Sequence, residues 1–148
     1  MGIVSAHDVA AYILKKHGEM TTWKLQKLLY YSQAWSLVWD EKPLFRAKIR
    51  AWTNGPVIPE IYRYHKGKFK VSKWERGNAR KLDKDQKETV DAVLKHYGNK
   101  TGQELSDLTH REEPWRNARS NTETSQGKSP EITLASMGEY YSSIAENS

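Results

Sequence analysis

Asp107, His110 and Glu113, spaced three residues apart, are the nearest this chain comes to a catalytic or metal-binding grouping. On one helical face such a set would hold a hard cation or pass a proton. Pro114 disfavours helix at Glu113, and a catalytic zinc site wants three protein ligands, so the expectation is a polar cluster at a helix end with no metal. The other histidines, at 7, 17, 65 and 96, form no HExxH or HxH pattern. No serine or threonine lies in GxSxG or SxxK, and no glycine-rich phosphate loop is present. With no cysteine, thiolate zinc sites, cysteine nucleophiles and disulfides are excluded. The residues therefore name no catalytic group, metal or cofactor, and the expectation is a protein that is not an enzyme. Acid–base pairs assembled by folding need no local motif and stay open on this ground alone.

Binding is better represented than catalysis. The run from Trp52 to Tyr62 holds Asn54-Gly55, which tolerates positive φ, and Pro56 and Pro59, which fix φ. It reads as a rigid turn feeding a helix from about Pro56 to Lys66, ended by Gly67, and such turns serve either as structural corners or as fixed platforms for ligands. The chain carries 24 basic and 18 acidic residues. The excess lies in one stretch, where Arg63, Lys66, Lys68, Lys70, Lys73, Arg76, Arg80 and Lys81 stand against Glu75 alone. The expected state of such a run is a solvated, partly mobile connector, with attraction for nucleic acid or an acidic protein as the functional alternative. Of the six tryptophans, Trp23, Trp35, Trp39, Trp52 and Trp115 fall in patterned segments that assign them to the core. Trp74 sits outside any apolar period, as an exposed anchor or as a ring folded back over a sheet.

At 148 residues the chain is long enough for one domain with its own core. Ser5 and Asp8 have capping-box spacing and open a first helix to His17, before Gly18. Thr21 opens a second helix that is apolar nearly all round through Trp39, hence central, with its Lys24, Gln26 and Lys27 end expected in solvent. From Phe45 to Trp52 the period changes to two, giving a strand for which Lys68–Ser72 or a neighbouring piece is the expected partner. Asp83 with Gln86 and Thr101 with Glu104 open two more helices, and Pro114 begins a turn bearing Trp115. Residues 120–128 are polar and read as a mobile loop, after which Ser129-Pro130 caps a last helix. The expected fold is mainly α, a single globular helical domain with a small antiparallel β-element. No apolar run approaches membrane-spanning length and the N-terminus has no secretory pattern, so a cytoplasmic protein without membrane contact is expected.

Three blocks, in this order and at these separations, carry a resemblance. Lys24 to Tyr31 reads KLQKLLYY, Trp52 to Tyr62 reads W-x-x-G-P-V-x-P-E-x-Y, and Leu105 to Trp115 reads L-S-x-L-T-H-x-E-x-P-W. Together they resemble the Panacea domain of SocA-like antitoxins, also known from phage-associated GepA proteins. His65 departs from the pattern, standing where an apolar residue is expected. The resemblance implies an antitoxin that neutralises a cognate toxin, encoded in the adjacent gene, by direct protein contact. Its candidate toxin-binding residues are Trp52, Asn54, Gly55, Pro56 and Tyr62 at the corner, flanked by Arg63, Lys66, Lys68, Lys70 and Trp74. The alternatives are an adaptor delivering its partner to a protease, with a protease or chaperone link, and a nucleic-acid-binding regulator using the 63–81 stretch. No helix-turn-helix pair supports the last, and nucleic acid is the less favoured partner.

Overall fold

A computed structural model describes residues 4–120 and 129–146. Helix α1 (Ala6–His17) starts where the sequence places it. The Ser5 hydroxyl accepts from a first-turn amide, the Asp8 carboxylate returns to the Ser5 amide, and Gly18 ends the helix at φ 92°. Strand β1 (Met20–Thr21) leads into α2 (Thr22–Trp39), capped by the Thr21 hydroxyl on the Lys24 amide. This second helix is the hub, packed by α1, by α4 (Lys84–Tyr97), by α5 (Gly102–His110) and by α7 (Leu134–Glu146). Leu25, Leu28, Leu29, Tyr30, Tyr31 and Ala34 are all at most 1 % exposed, each large apolar side chain among them worth about 1.5–3 kcal/mol of burial.

Polar residues on α2 do structural work inside this core. Gln33 accepts from the Leu44 and Phe45 amides and donates to the Phe45 carbonyl, tying down the chain that leaves the helix. Gln26 does the same for Ile58, accepting from its amide at 2.8 Å and donating to its carbonyl at 3.3 Å. The Lys24–Lys27 end is therefore not the solvated end expected: Gln26 is fully buried and Lys27 is 1 % exposed, because the hairpin that follows folds back over them.

That hairpin differs from the sequence expectation in register. Strand β2 begins only at Ile49 (Ile49–Trp52), and β3 (Gly55–Val57) pairs with it antiparallel, Trp52 opposite Gly55 and Ala51 opposite Pro56. Pro56 thus belongs to a strand and does not open the helix. Helix α3 (Pro59–His65) starts at Pro59, whose missing N–H costs nothing in the first turn. Strand β4 (Lys70–Val71) pairs with β1 in a separate two-stranded sheet, and not with β2 as expected. The third strand beside β2 is β5 (Glu131–Ile132), so Ser129-Pro130 enters a sheet, where the Pro130 carbonyl accepts from the Ala51 amide. Helix α7 then begins at Leu134, its first turn held by the Thr133 hydroxyl on the Ser136 amide.

The basic stretch is pinned rather than a free connector. The Thr22 amide donates to the Phe69 carbonyl, the Trp74 indole donates to His7, and the Asn78 amide donates to Asp8. Capping boxes at Asp83/Gln86 and Thr101/Glu104 open α4 and α5 as read from sequence, and α6 (Glu113–Ser120) carries Pro114 and Trp115. Ser120 closes α6. The rest of the loop expected at 120–128 lies outside the described residues. The fold is mainly helical, with seven α-helices and two small antiparallel sheets among the described residues. None of those helices is long and apolar enough to cross a membrane.

Candidate functional site

Each of the three sequence blocks contributes to one place, the turn at Thr53-Asn54. The α5–α6 block fastens the hairpin backbone from one side: Ser106 donates to the Asn54 carbonyl at 2.5 Å, the Trp115 indole to the Trp52 carbonyl at 2.8 Å, and Arg119 to the Ala51 carbonyl at 3.1 Å. Gln26 holds the exit of the hairpin from the other side. Gly55, at φ 122°, lies directly over the Lys27 side chain, where a Cβ would meet Lys27 Cε at 2.6 Å and Thr109 Oγ1 at 3.1 Å. A glycine is required here on both counts.

On the solvent side of the corner, three aromatic rings form a cluster: Trp52 and Tyr62 at 4.9 Å between centroids, Trp23 and Tyr62 at 5.8 Å, Trp23 and Trp52 at 6.4 Å. Trp23 is 38 % exposed, and so is not the core residue its pattern suggests; Trp39, at 48 %, is another such departure. The Trp23 and Trp52 rings border an open cleft of about 370 Å³, completed by Thr53, Asn54, Val57, Arg119 and Ser129. Behind the corner, His110 stacks on Trp115 at 4.0 Å, and the Arg119 guanidinium sits 5.7 Å from the same Trp115 ring.

The electrostatics are set by burial. Lost hydration lowers the Lys27 ammonium to about pKa 8, with no nearby carboxylate opposing the effect. Burial also lowers His65 and His110, and Lys27 adds to both shifts. His65 accounts for its own departure from the family pattern: at 1 % exposure it bonds to Gln26 at 3.0 Å and sits edge-on to Trp23, closing α3 as an apolar residue would while serving a polar partner.

The expected site residues divide into three sets. Trp52, Asn54 and Tyr62 lie at the corner, Arg63 and Lys66 are exposed on and just after α3, and Gly55 and Pro56 are buried supports behind the surface. Lys68, Lys70 and Trp74 line a different recess of about 470 Å³, together with Tyr64 and Arg76. Trp74 is 8 % exposed and stacked on His7, which corrects its reading as an exposed anchor. Asp107, His110 and Glu113 do not converge. Asp107 accepts from Gln103, His110 turns to Trp115 and Thr53, and no metal-holding group of histidines and acids occurs among the described residues. Trp23, Lys27, Thr109, Trp115 and Arg119 are absent from the site expected from sequence. Lys27, Thr109 and Trp115 lie within the blocks themselves, whereas Trp23 and Arg119 lie just outside them and carry no sequence signal.

The profile of a family described as Antitoxin SocA-like, Panacea domain, matches residues 25–116, a span containing Lys27, the hairpin, Thr109 and Trp115. No curated protein and no solved structure matches the chain.

Proposed function

Because the chain belongs to the SocA-like antitoxin family with its Panacea domain, we propose that it acts in the cytoplasm, as one non-catalytic domain, by binding a cognate toxin encoded beside it. The surface that carries this reading is the exposed aromatic corner. Trp23, Trp52 and Tyr62 offer large rings at low conformational cost, on a backbone whose carbonyls at Ala51, Trp52 and Asn54 are each held by a side chain from α5 or α6. Tryptophan, tyrosine and arginine dominate interface energetics, and a preorganised scaffold lowers the ordering cost of association. Arg63 and Lys66 on and after α3, with Lys68 and Lys70 at the other recess, all exposed, supply positive charge on this part of the surface and steer an acidic partner toward it.

The test is growth rescue with co-purification. The adjacent gene is expressed alone and with this protein, and this protein is then captured. Toxicity relieved with a stoichiometric complex supports the reading; rescue by Trp23→Ala and Trp52→Ala should then fail, with Kd raised at least about tenfold for each. Relief accompanied by disappearance of the toxin would favour delivery to a protease over simple blocking. Relief without any complex overturns direct binding.

A further inference from the structure

Lys27 is a buried charged side chain on α2 that has neither an ion pair nor a hydrogen bond among the described residues. It is 1 % exposed, yet among the described residues its ammonium has no carboxylate within 4.0 Å and donates no hydrogen bond. The ammonium lies 5.5 Å from the centre of the Trp23 ring. The neighbouring buried polar residues Gln26, Ser32, Gln33 and Ser36 all have hydrogen-bond partners. A buried ammonium without a counter-ion is costly, and buried charges are ordinarily paired. Nearby, His110 Nε2 is buried and has no hydrogen-bond partner among the described residues.

The surroundings specify what is missing. Gly55 and Thr109 close over the lysine on the protein side. The titratable groups that interact with it are His65 from α3 and His110 from α5, both bases, and no carboxylate opposes the burial of its charge. Trp23 stands over the ammonium toward the solvent. Unlike the indoles of Trp35, Trp74 and Trp115, its N–H has no hydrogen-bond partner among the described residues, and more than a third of the residue is exposed. It is a cover held by ring contacts alone, and the cleft it borders opens to one side.

We propose that the corner receives the carboxylate of an acidic side chain of the partner protein, which displaces the Trp23 ring and pairs with Lys27. This rests on the toxin-binding reading and names the chemistry of its central contact. An acidic side chain fits better than a free anion because the exposed basic residues on this part of the molecule favour an acidic protein surface, and because the displaced Trp23 ring keeps apolar area to place against that surface. Pairing stabilises the charged form of the amine. Since burial holds Lys27 near pKa 8 in the free protein, binding at pH 9 draws a proton from solvent.

The experiment measures binding of the toxin to the wild-type protein and to Lys27→Met by calorimetry at pH 9, in two buffers of different ionisation enthalpy. Methionine keeps an apolar stem as far as Cε and removes the charge, so the variant should melt no lower than wild type. The expected result is uptake of most of a proton by wild type, correspondingly less by K27M, and a Kd at least tenfold weaker for K27M. Equal affinity for the two, or no proton uptake by wild type, overturns the proposal while leaving toxin binding intact. Absence of toxin binding by wild type refutes the antitoxin reading instead, and formate, the smallest carboxylate, then decides the site by itself. Lys27 is followed by NMR in the free protein: a rise in its apparent pKa with formate supports a carboxylate site, and no rise overturns it. A larger rise with inorganic phosphate than with formate at equal concentration also overturns it, in favour of a phosphate-bearing ligand.

Discussion

Gly55 rests on Lys27 so closely that a methyl group added at the glycine would lie 2.6 Å from the lysine Cε. The hairpin and the buried helix thus meet through a backbone and an aliphatic stem, with no side chain between them. The Gly55 φ of 122° adds a conformational demand to the steric one.

Gly55→Ala should therefore destabilise the protein by about 2–4 kcal/mol, combining left-handed backbone strain with overpacking against the buried lysine stem. Gly67→Ala is the internal comparison, because Gly67 has φ 85° but open space around its Cβ direction, and its cost should stay near about 1–2 kcal/mol. Denaturant unfolding of the two variants measures the difference. Equal losses would show that the contact with Lys27 contributes nothing.

Stability should keep rising past neutral pH. Lys27 titrates near 8 in the folded protein against 10.5 in the unfolded chain, so between those values the unfolded state binds more protons and unfolding becomes harder as pH increases, by about 3 kcal/mol in total. Above pH 10 the sign reverses. Burial pushes Tyr12 and Tyr97 up to about 12, and raises Tyr30, Tyr31 and Tyr141 still further, so these groups keep in the folded state protons that the unfolded chain has lost. The unfolding free energy should peak at about pH 9–10, above the usual range. In K27M the rise above pH 8 should be largely lost.

A second buried cluster should be sensitive to the removal of one carboxylate. Glu112 Oε1 accepts from Tyr31 and from Tyr141, each at 2.7 Å, and Tyr141 bonds to Tyr30 at 3.0 Å, joining α2, the α5–α6 junction and α7. Burial raises the Glu112 pKa, partly offset by these two hydroxyls. Glu112→Ala leaves two buried hydroxyls without their acceptor and should cost about 2–4 kcal/mol. Glu112→Gln, which keeps a carbonyl oxygen in place, should cost distinctly less. Thermal melts of both variants provide the check, and a Gln variant as damaged as the Ala variant would mean that the carboxylate charge itself is needed.

If the basic loop steers association, replacing Lys66, Lys68 and Lys70 with glutamate should slow toxin capture at low salt by about tenfold or more and leave dissociation nearly unchanged. Stopped-flow or surface-based kinetics at two ionic strengths would show this. An unchanged association rate at low salt removes the loop from the proposed interface.

Local signals were legible in the sequence and distant ones were not. The Ser5/Asp8, Asp83/Gln86 and Thr101/Glu104 boxes each act within four residues, and all three helix starts follow from them. Pro56 was misplaced because its role depends on standing opposite Ala51, a register that a proline next to an Asn-Gly turn does not encode by itself. Lys27 and Trp23 were assigned to the wrong sides of the surface for a related reason. The lysine is covered by a hairpin 28 residues away in the chain, while the tryptophan, at a position of helical apolar spacing, borders a cleft. Trp74 was decided by His7, 67 residues earlier. The tight turn at Asn54-Gly55 is legible from its residue types, but its fastening by Ser106, Trp115 and Arg119 rests on contacts between segments far apart in the chain.

Strand β2 lies between β3, reached by a two-residue turn, and β5, reached only after helices α3 to α6. During synthesis the hairpin can therefore form early, but Ile49 and Arg50 lack their outer partners until Glu131 and Ile132 have emerged from the ribosome. The finished corner becomes available only once Glu131 and Ile132 have been made. An interrupted translation product ending before that strand would leave the edge of β2 open, and would be a substrate for quality control rather than a working copy.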